Sequence, residues 1–327
     1  MNGLPAPNPE QMRWLVKQGD RWQAGGMSTT LFGILLGLAA ATCQSVTYLQ
    51  SRHFVGHAAG GRRRLMLLGH VIQGGIGLTV LPLLWPAEMP AFRQYVFPLL
   101  MSAGGFLVGQ AFLFGTLRHV EASRVAPFLS IKIPLLAILA WLVMGRTITG
   151  WQWTAVGLAM AGAWLLNWTG GQFPTRMLVT ILLTCAGYAV SDLFIRALIE
   201  SLAPVPPLRA ALVGVALSYI VCGVAVLPVW FGIGKVAWSD VRRATPYALT
   251  WLASMVFLYA CFALINVVLG NIVQSTRGLI SILLAPVMAR SDDWGHLETT
   301  QSPHAILRRA AVALLMTAAV ALYVWGA

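Results

Sequence analysis

From residue 28 onward, long apolar runs alternate with short breaks rich in charge, proline or glycine. The runs cover 28–49, 65–85, 95–117, 123–144, 150–168, 177–199, 209–231, 246–267, 271–289 and 305–325. A helix needs about 20 apolar residues to cross a hydrocarbon core of about 30 Å, and each run is close to that length. The pattern predicts an all-α, polytopic membrane protein of ten transmembrane helices. Short loops and a polar N-terminal tail, 1–27, account for the rest, which leaves no room for a soluble catalytic domain.

Composition agrees with the pattern, since 58% of residues are hydrophobic, only 10% are charged and the mean hydropathy is +0.74. That balance lies well outside the range of soluble domains. The tail carries Arg13, Lys17 and Arg21 but no convincing cleavable signal, and "MSTTLFGILLG" from Met27 reads equally well as a start. The net charge of +12 sits in loops flanking the runs, which fits loop charge that sets membrane orientation better than nucleic-acid binding.

Outside the runs, the tail and even-numbered loops hold Arg13, Lys17, Arg21, Arg93, Arg146 and Arg209, whereas basic residues such as Arg62, Arg63, Arg64, Lys235, Arg242 and Arg243 crowd the odd-numbered loops. By the positive-inside rule both termini lie outside. Cys43, Cys185, Cys222 and Cys261 fall inside runs without metal-ligand spacing and read as buried free thiols.

The chain also repeats itself. "FLFGTL" at 112–117 matches "FLYACF" at 257–262, an offset of 257 − 112 = 145, and at the same offset "SIK" with Lys132 matches "STR" with Arg277. "VLP" recurs at 80–82 and 226–228, and "AVGLAM" at 155–160 pairs with "AVALLM" at 311–316. Four matches in the same order predict two five-helix repeats, 28–168 and 177–327, joined by the linker 169–176. An odd number of spans per copy turns the second copy upside down, the inverted-repeat design of many secondary transporters.

Ten spans in two inverted halves, with the stretch "SRVAPFLSIKIPLLAILAWLVMGRTITGWQWTAVGLAMAGAWLL" and its mid-span proline, resemble the EamA family of the drug/metabolite transporter superfamily. The resemblance covers 28–325. It implies a transporter of the bacterial inner (plasma) membrane with both termini inside, opposite to the charge count. The chain departs from the family in having Gly145-Arg146 where a glutamate usually follows the fourth span. The architecture also resembles the plastid phosphate-translocator branch, in which basic residues on the fourth and ninth helices hold an anion; here those helices carry Lys132 and Arg277.

Charged and polar residues inside apolar runs are the candidate site, because a charge at the bilayer centre costs about 2.5–3.5 kcal/mol on insertion scales. Asn271, Gln274, Arg277 and Ser281 share one helical face, so Arg277 either snorkels to the interface or meets a substrate or internal partner. Lys132 stands among apolar face neighbours, and its case rests on being the repeat-mate of Arg277. Pro134 leaves the carbonyl of Ser130 without its helical donor and predicts a kink.

On the sixth run Thr184, Tyr188 and Asp192 recur at i+4. Asp192 is either a coupling acid or one rung of an Asp192–Arg196–Glu200 ladder. Thr42, Ser45, Tyr48 and Gln110 are cavity-lining or interhelical groups. Glycines at 33/37 and 105/109 have the GxxxG spacing of close helix packing, and alanines stripe the fifth run. That fifth run and the tenth could form a homodimer contact.

The sequence has no HExxH, GxSxG, Walker A or strand-opening GxGxxG motif, so no enzyme activity and no cofactor are expected. The function expected is secondary active transport of a small polar, anionic metabolite by alternating access. Arg277, Lys132, Gln274, Ser281, Tyr188, Gln110 and Tyr48 would bind the substrate. Asp192 would couple a proton, with a counter-substrate as the other option. A lipid-linked flippase of the same superfamily, or a non-transporting membrane scaffold or enzyme, are the alternatives.

Overall fold

A computed structural model of the chain describes residues 27–57, 61–144, 149–151, 153–155, 174–265 and 267–288, with isolated positions between 157 and 161 and between 304 and 322. Among the described residues the protein is helical, without strands. Among the described residues six helices are long and apolar enough to cross a membrane: α1 Met27–His57, α2 Gly61–Leu84, α3 Phe92–Leu117, α6 Thr175–Ser201, α7 Pro207–Ala225 and α8 Trp238–Leu264. A 3₁₀ segment, Leu227–Gly232, continues α7.

Among the described residues, two more of the predicted spans are broken instead of continuous. The fourth is α4 Ala122–Phe128, a 3₁₀ turn at Leu129–Ile131 and α5 Lys132–Met144. The ninth is α9 Val267–Ser275 and α10 Arg277–Met288. The tail 1–26, most of the fifth run, Gly145-Arg146, most of the linker 169–176 and most of the tenth run lie outside the described residues, as does much of the alanine stripe.

Helix starts follow local chemistry. Proline with its fixed φ precedes or opens α6 and α7, at Pro174 and at Pro206-Pro207, where the missing N–H costs nothing. Asp240 in the first turn of α8 accepts from the Ala237 amide (3.3 Å) and from Arg64 Nη1 (2.9 Å), which ties the start of α2 to the start of α8. Arg64 also donates to the Lys235 carbonyl, so the Arg62–Arg64 and Lys235–Arg243 charges gather at one end of the bundle.

Packing follows the small residues. The chief helix pairs are α3 with α6, α1 with α8 and α2 with α7. At the first crossing Gly105 and Gly109 meet Gly187 with their backbones nearly touching, and at the third Gly74 lies against the Tyr219 carbonyl and Gly223. Outward surfaces carry Leu31, Phe32 and Leu35 on α1, Phe97 and Leu100 on α3 and Leu182 on α6, while Gln44, Ser45, Gln73, Gln110, Thr184 and Asp192 are buried. Apolar groups outside and polar groups inside is the arrangement a bilayer demands, because lipid cannot satisfy a polar side chain. Thr42 is the exception among the expected lining groups: it faces outward and donates to the Leu38 carbonyl.

Candidate functional site

The two broken segments define the centre. After Phe128 the backbone tightens into a 3₁₀ turn, and the Lys132 amide donates to the Leu129 and Ser130 carbonyls. Pro134 then sits in the first turn of α5, where a proline is tolerated. At the second break, Thr276 covers the Val273 carbonyl with both its amide (3.2 Å) and its hydroxyl (2.7 Å), and Ser275 Oγ donates to the Ile272 carbonyl (2.6 Å). These hydroxyls satisfy carbonyls that an interrupted helix leaves bare, which non-helical backbone at membrane depth requires.

Lys132 is the first residue of α5 and Arg277 the first of α10. Gln274 and Arg277 therefore flank a break instead of sharing one continuous helical face, yet both turn inward. Lys132 is 3% exposed and Arg277 2%, so neither cation snorkels to an interface.

Their partners are reciprocal. Lys132 Nζ pairs with Asp192 Oδ2 on α6 (2.7 Å) and donates to Gln274 Oε1 on α9. Arg277 Nη1 donates to Gln44 Oε1 on α1 (2.8 Å) and Nη2 to the Leu129 carbonyl (3.2 Å). The two crossed contacts obey the repeat offset, since 274 − 129 = 145 and 277 − 132 = 145. Ser45 Oγ, next to Gln44, donates to the Arg277 carbonyl (3.1 Å).

The reciprocity is broken in one respect. Lys132 meets a carboxylate, but Arg277 meets an amide and a carbonyl, and among the described residues no carboxylate pairs with it. A buried ion is expensive unless compensated, so Arg277 marks the point where the fold has left a charge open. Asp192 does not join the expected ladder: Arg196 pairs with Glu200 (2.6 Å) and donates to the Phe262 carbonyl, while Asp192 turns to Lys132.

Beside the cations lies an aromatic cluster of which the sequence had singled out only Tyr48 and Tyr188. Phe106 stacks on Trp251 (5.6 Å between centroids) and on Tyr188 (6.2 Å), and Trp251 also contacts Tyr247 and Tyr48. Gln110 Nε2 donates to Tyr247 Oη (3.1 Å), and Trp251 Nε1 to Tyr219 Oη (2.6 Å). Tyr48 Oη, Tyr188 Oη, Ser281 Oγ, Gln274 Nε2 and Arg277 Nε are buried without a hydrogen-bond partner. All five can donate. His70 packs on Phe106 (5.5 Å) with Nδ1 on the Met66 carbonyl (2.6 Å), a packing residue away from the two cations' contacts.

The model of the EamA-like transporter family, part of the drug/metabolite transporter superfamily, matches residues 31–168. Over that stretch the chain is similar to EamA-like transporters. No curated protein matches the chain. Among the solved structures that match, one crystal structure is similar with a TM-score of 0.56 and 15% identity, covering 89% of this chain and 96% of the other; at that identity the likeness is one of fold. The EamA-like match and the apolar helices make this an integral, multi-pass membrane protein. Lys132, Leu129, Gln44 and Ser45 lie within the EamA-like stretch, whereas Asp192, Gln274 and Arg277 lie beyond it.

Sequence reasoning found both cations, Gln274 and Asp192, but missed Gln44 and the Leu129 carbonyl. Gln44 sits one residue before Ser45 in an otherwise apolar run, and its polarity was the available signal. Nothing in the sequence marks a backbone carbonyl at 129 as a ligand.

Proposed function

We propose that this protein is a secondary active transporter of a small polar, anionic metabolite, working by alternating access between two five-helix units of opposite orientation. The observation that carries the reading is Arg277, a buried guanidinium held by neutral acceptors with Nε free. A negative group on the substrate completes its coordination. The unpartnered Tyr48, Tyr188, Ser281 and Gln274 atoms are donors suited to the same anion, and the free Gln110 Oε1, an acceptor, suits a donor group elsewhere on the substrate.

Helix pairing supports the duplicated design. Exchanging the halves turns the α3–α6 contact into α8–α1 and returns α2–α7 to itself. Lys132 and Arg277 each open the second half of a broken helix, and each reaches across to the other repeat, as a pseudo-two-fold axis between them would require. Discontinuous helices meeting near the midplane are a recurrent way to build a transporter site.

In this arrangement Asp192 acts through Lys132. Gain or loss of a proton at Asp192 changes the charge that the centre presents, which links proton movement to binding. The basic end of the bundle supports the orientation given by loop charge, with that end cytoplasmic and both termini outside.

The test is uptake into proteoliposomes across a panel of small carboxylates and phosphates. Arg277→Ala should reduce uptake of the transported anion by about a hundredfold, in line with losing a charged hydrogen-bonding partner worth about 3 kcal/mol. Undiminished uptake by a folded Arg277→Ala protein would remove the anion site.

A further inference from the structure

We infer that positions 44 and 192 together set the charge of the transported species, and that Gln44 tunes this site to a monoanion. The inference rests on the reading that Arg277 receives the substrate's negative group.

Positions 44 and 192 present an amide and a carboxylate to the cations they face. Both lie on the first helix of a half, and each receives the cation at the break of the other half: Asp192 takes Lys132, and Gln44 takes Arg277. Arginine has only donors, so Gln44 must offer its amide oxygen, and its Nε2 is turned toward Met255 Sδ (4.0 Å). The amide therefore orients the guanidinium as a carboxylate would, but leaves its charge in place.

Summing the buried centre gives +1 for Lys132, −1 for Asp192 and +1 for Arg277, a net of +1. The nearest further charge along α6, Arg196, is balanced by Glu200. A monoanion brings the centre to neutrality, a dianion overshoots by one charge and a neutral solute leaves the excess. Charges a few ångströms apart in a partly buried site interact strongly enough to separate these cases by at least about tenfold in affinity.

The same bookkeeping makes Gln44→Glu a near-isosteric way to close the open charge. Asp192→Asn is the mirror change, which releases Lys132 and raises the centre to +2. Neither position is thereby a contact of the substrate; both act through the cation they hold.

The experiment uses the full chain in proteoliposomes and in detergent. The probes are straight-chain monocarboxylates from acetate to hexanoate, the matching dicarboxylates and the matching neutral amides, at equal ionic strength, read by uptake and by ligand-induced thermal shift. The unmodified protein should prefer the monoacid to both counterparts. Gln44→Glu should lower monoacid affinity by at least about tenfold, while Gln44→Met, which adds no charge, keeps the preference. Asp192→Asn should move the diacid-to-monoacid ratio about tenfold toward the diacid.

If Arg277→Ala loses the anion but Gln44→Glu and Asp192→Asn leave the charge preference unchanged, the charge-setting role is overturned and the anion site stands. If the unmodified protein prefers no acid over its amide, or Arg277→Ala keeps that preference, the anion site itself is overturned. Should Gln44→Glu fail to fold, the Asp192→Asn ratio decides alone.

Discussion

Gly187→Ala is the substitution most directly readable from the backbone. A Cβ at Gly187 would lie 2.7 Å from the Gly105 carbonyl oxygen, 2.7 Å from the Gly109 nitrogen and 2.9 Å from the Gly109 Cα. Ordinary contact begins near 3.4 Å, so the deficits are 3.4 − 2.7 = 0.7 Å twice and 3.4 − 2.9 = 0.5 Å. All three atoms are backbone, and no rotamer change can relieve them; α3 and α6 must separate.

Overpacking of this kind costs about 1–3 kcal/mol, at the upper end here because the partner is a helix backbone. Alanine returns about 1 kcal/mol of helix propensity, leaving a net loss of about 2 kcal/mol. Asp192 lies five residues further along α6, about 7.5 Å by helix rise, so the displacement also loosens its pair with Lys132. Gly104→Ala is the control, because nothing lies within 4 Å of its Cβ position, and it should be neutral or slightly stabilising. Thermal or denaturant unfolding of both proteins in the same lipid or detergent reads the difference. Equal stabilities would refute the claim that backbone contact at this crossing is tight.

Two further outcomes follow from buried polar pairs. Lys132→Ala strands Asp192 and should cost about 3–5 kcal/mol, while adding Asp192→Ala recovers part of the loss; a double-mutant cycle on unfolding measures the coupling. Tyr219→Phe removes the acceptor of the Trp251 indole N–H, a bond of 2.6 Å between two buried groups, and should destabilise by about 1–3 kcal/mol with a change in tryptophan emission, whereas an unaltered protein would mean the indole finds another acceptor.

The membrane class was legible from run length alone, because the hydrocarbon core sets a helix length that composition either meets or does not. The offset of 145 between "SIK" and "STR" singled out Lys132 and Arg277 together, and the structure buries both. The breaks were only half legible. Pro134 announced one, but nothing at Thr276 did, since a short polar residue fits a continuous helix as readily as a turn closed by its own hydroxyl. Asp192 was visible, but its partner was not: the ladder with Arg196 is local and satisfied the i+4 rule, while the pair with Lys132 spans 60 residues of sequence and forms only when α5 packs on α6.

By itself the sequence determined that this chain is helical, spans a bilayer and carries cations where lipid would not tolerate them, since those properties depend on local length, polarity and repetition. Only the tertiary structure decided which cation is neutralised. Gln44 and Asp192 are separated from their partners by 233 and 60 residues, and whether a buried charge is cancelled or left open depends on the group that packing brings within hydrogen-bond reach.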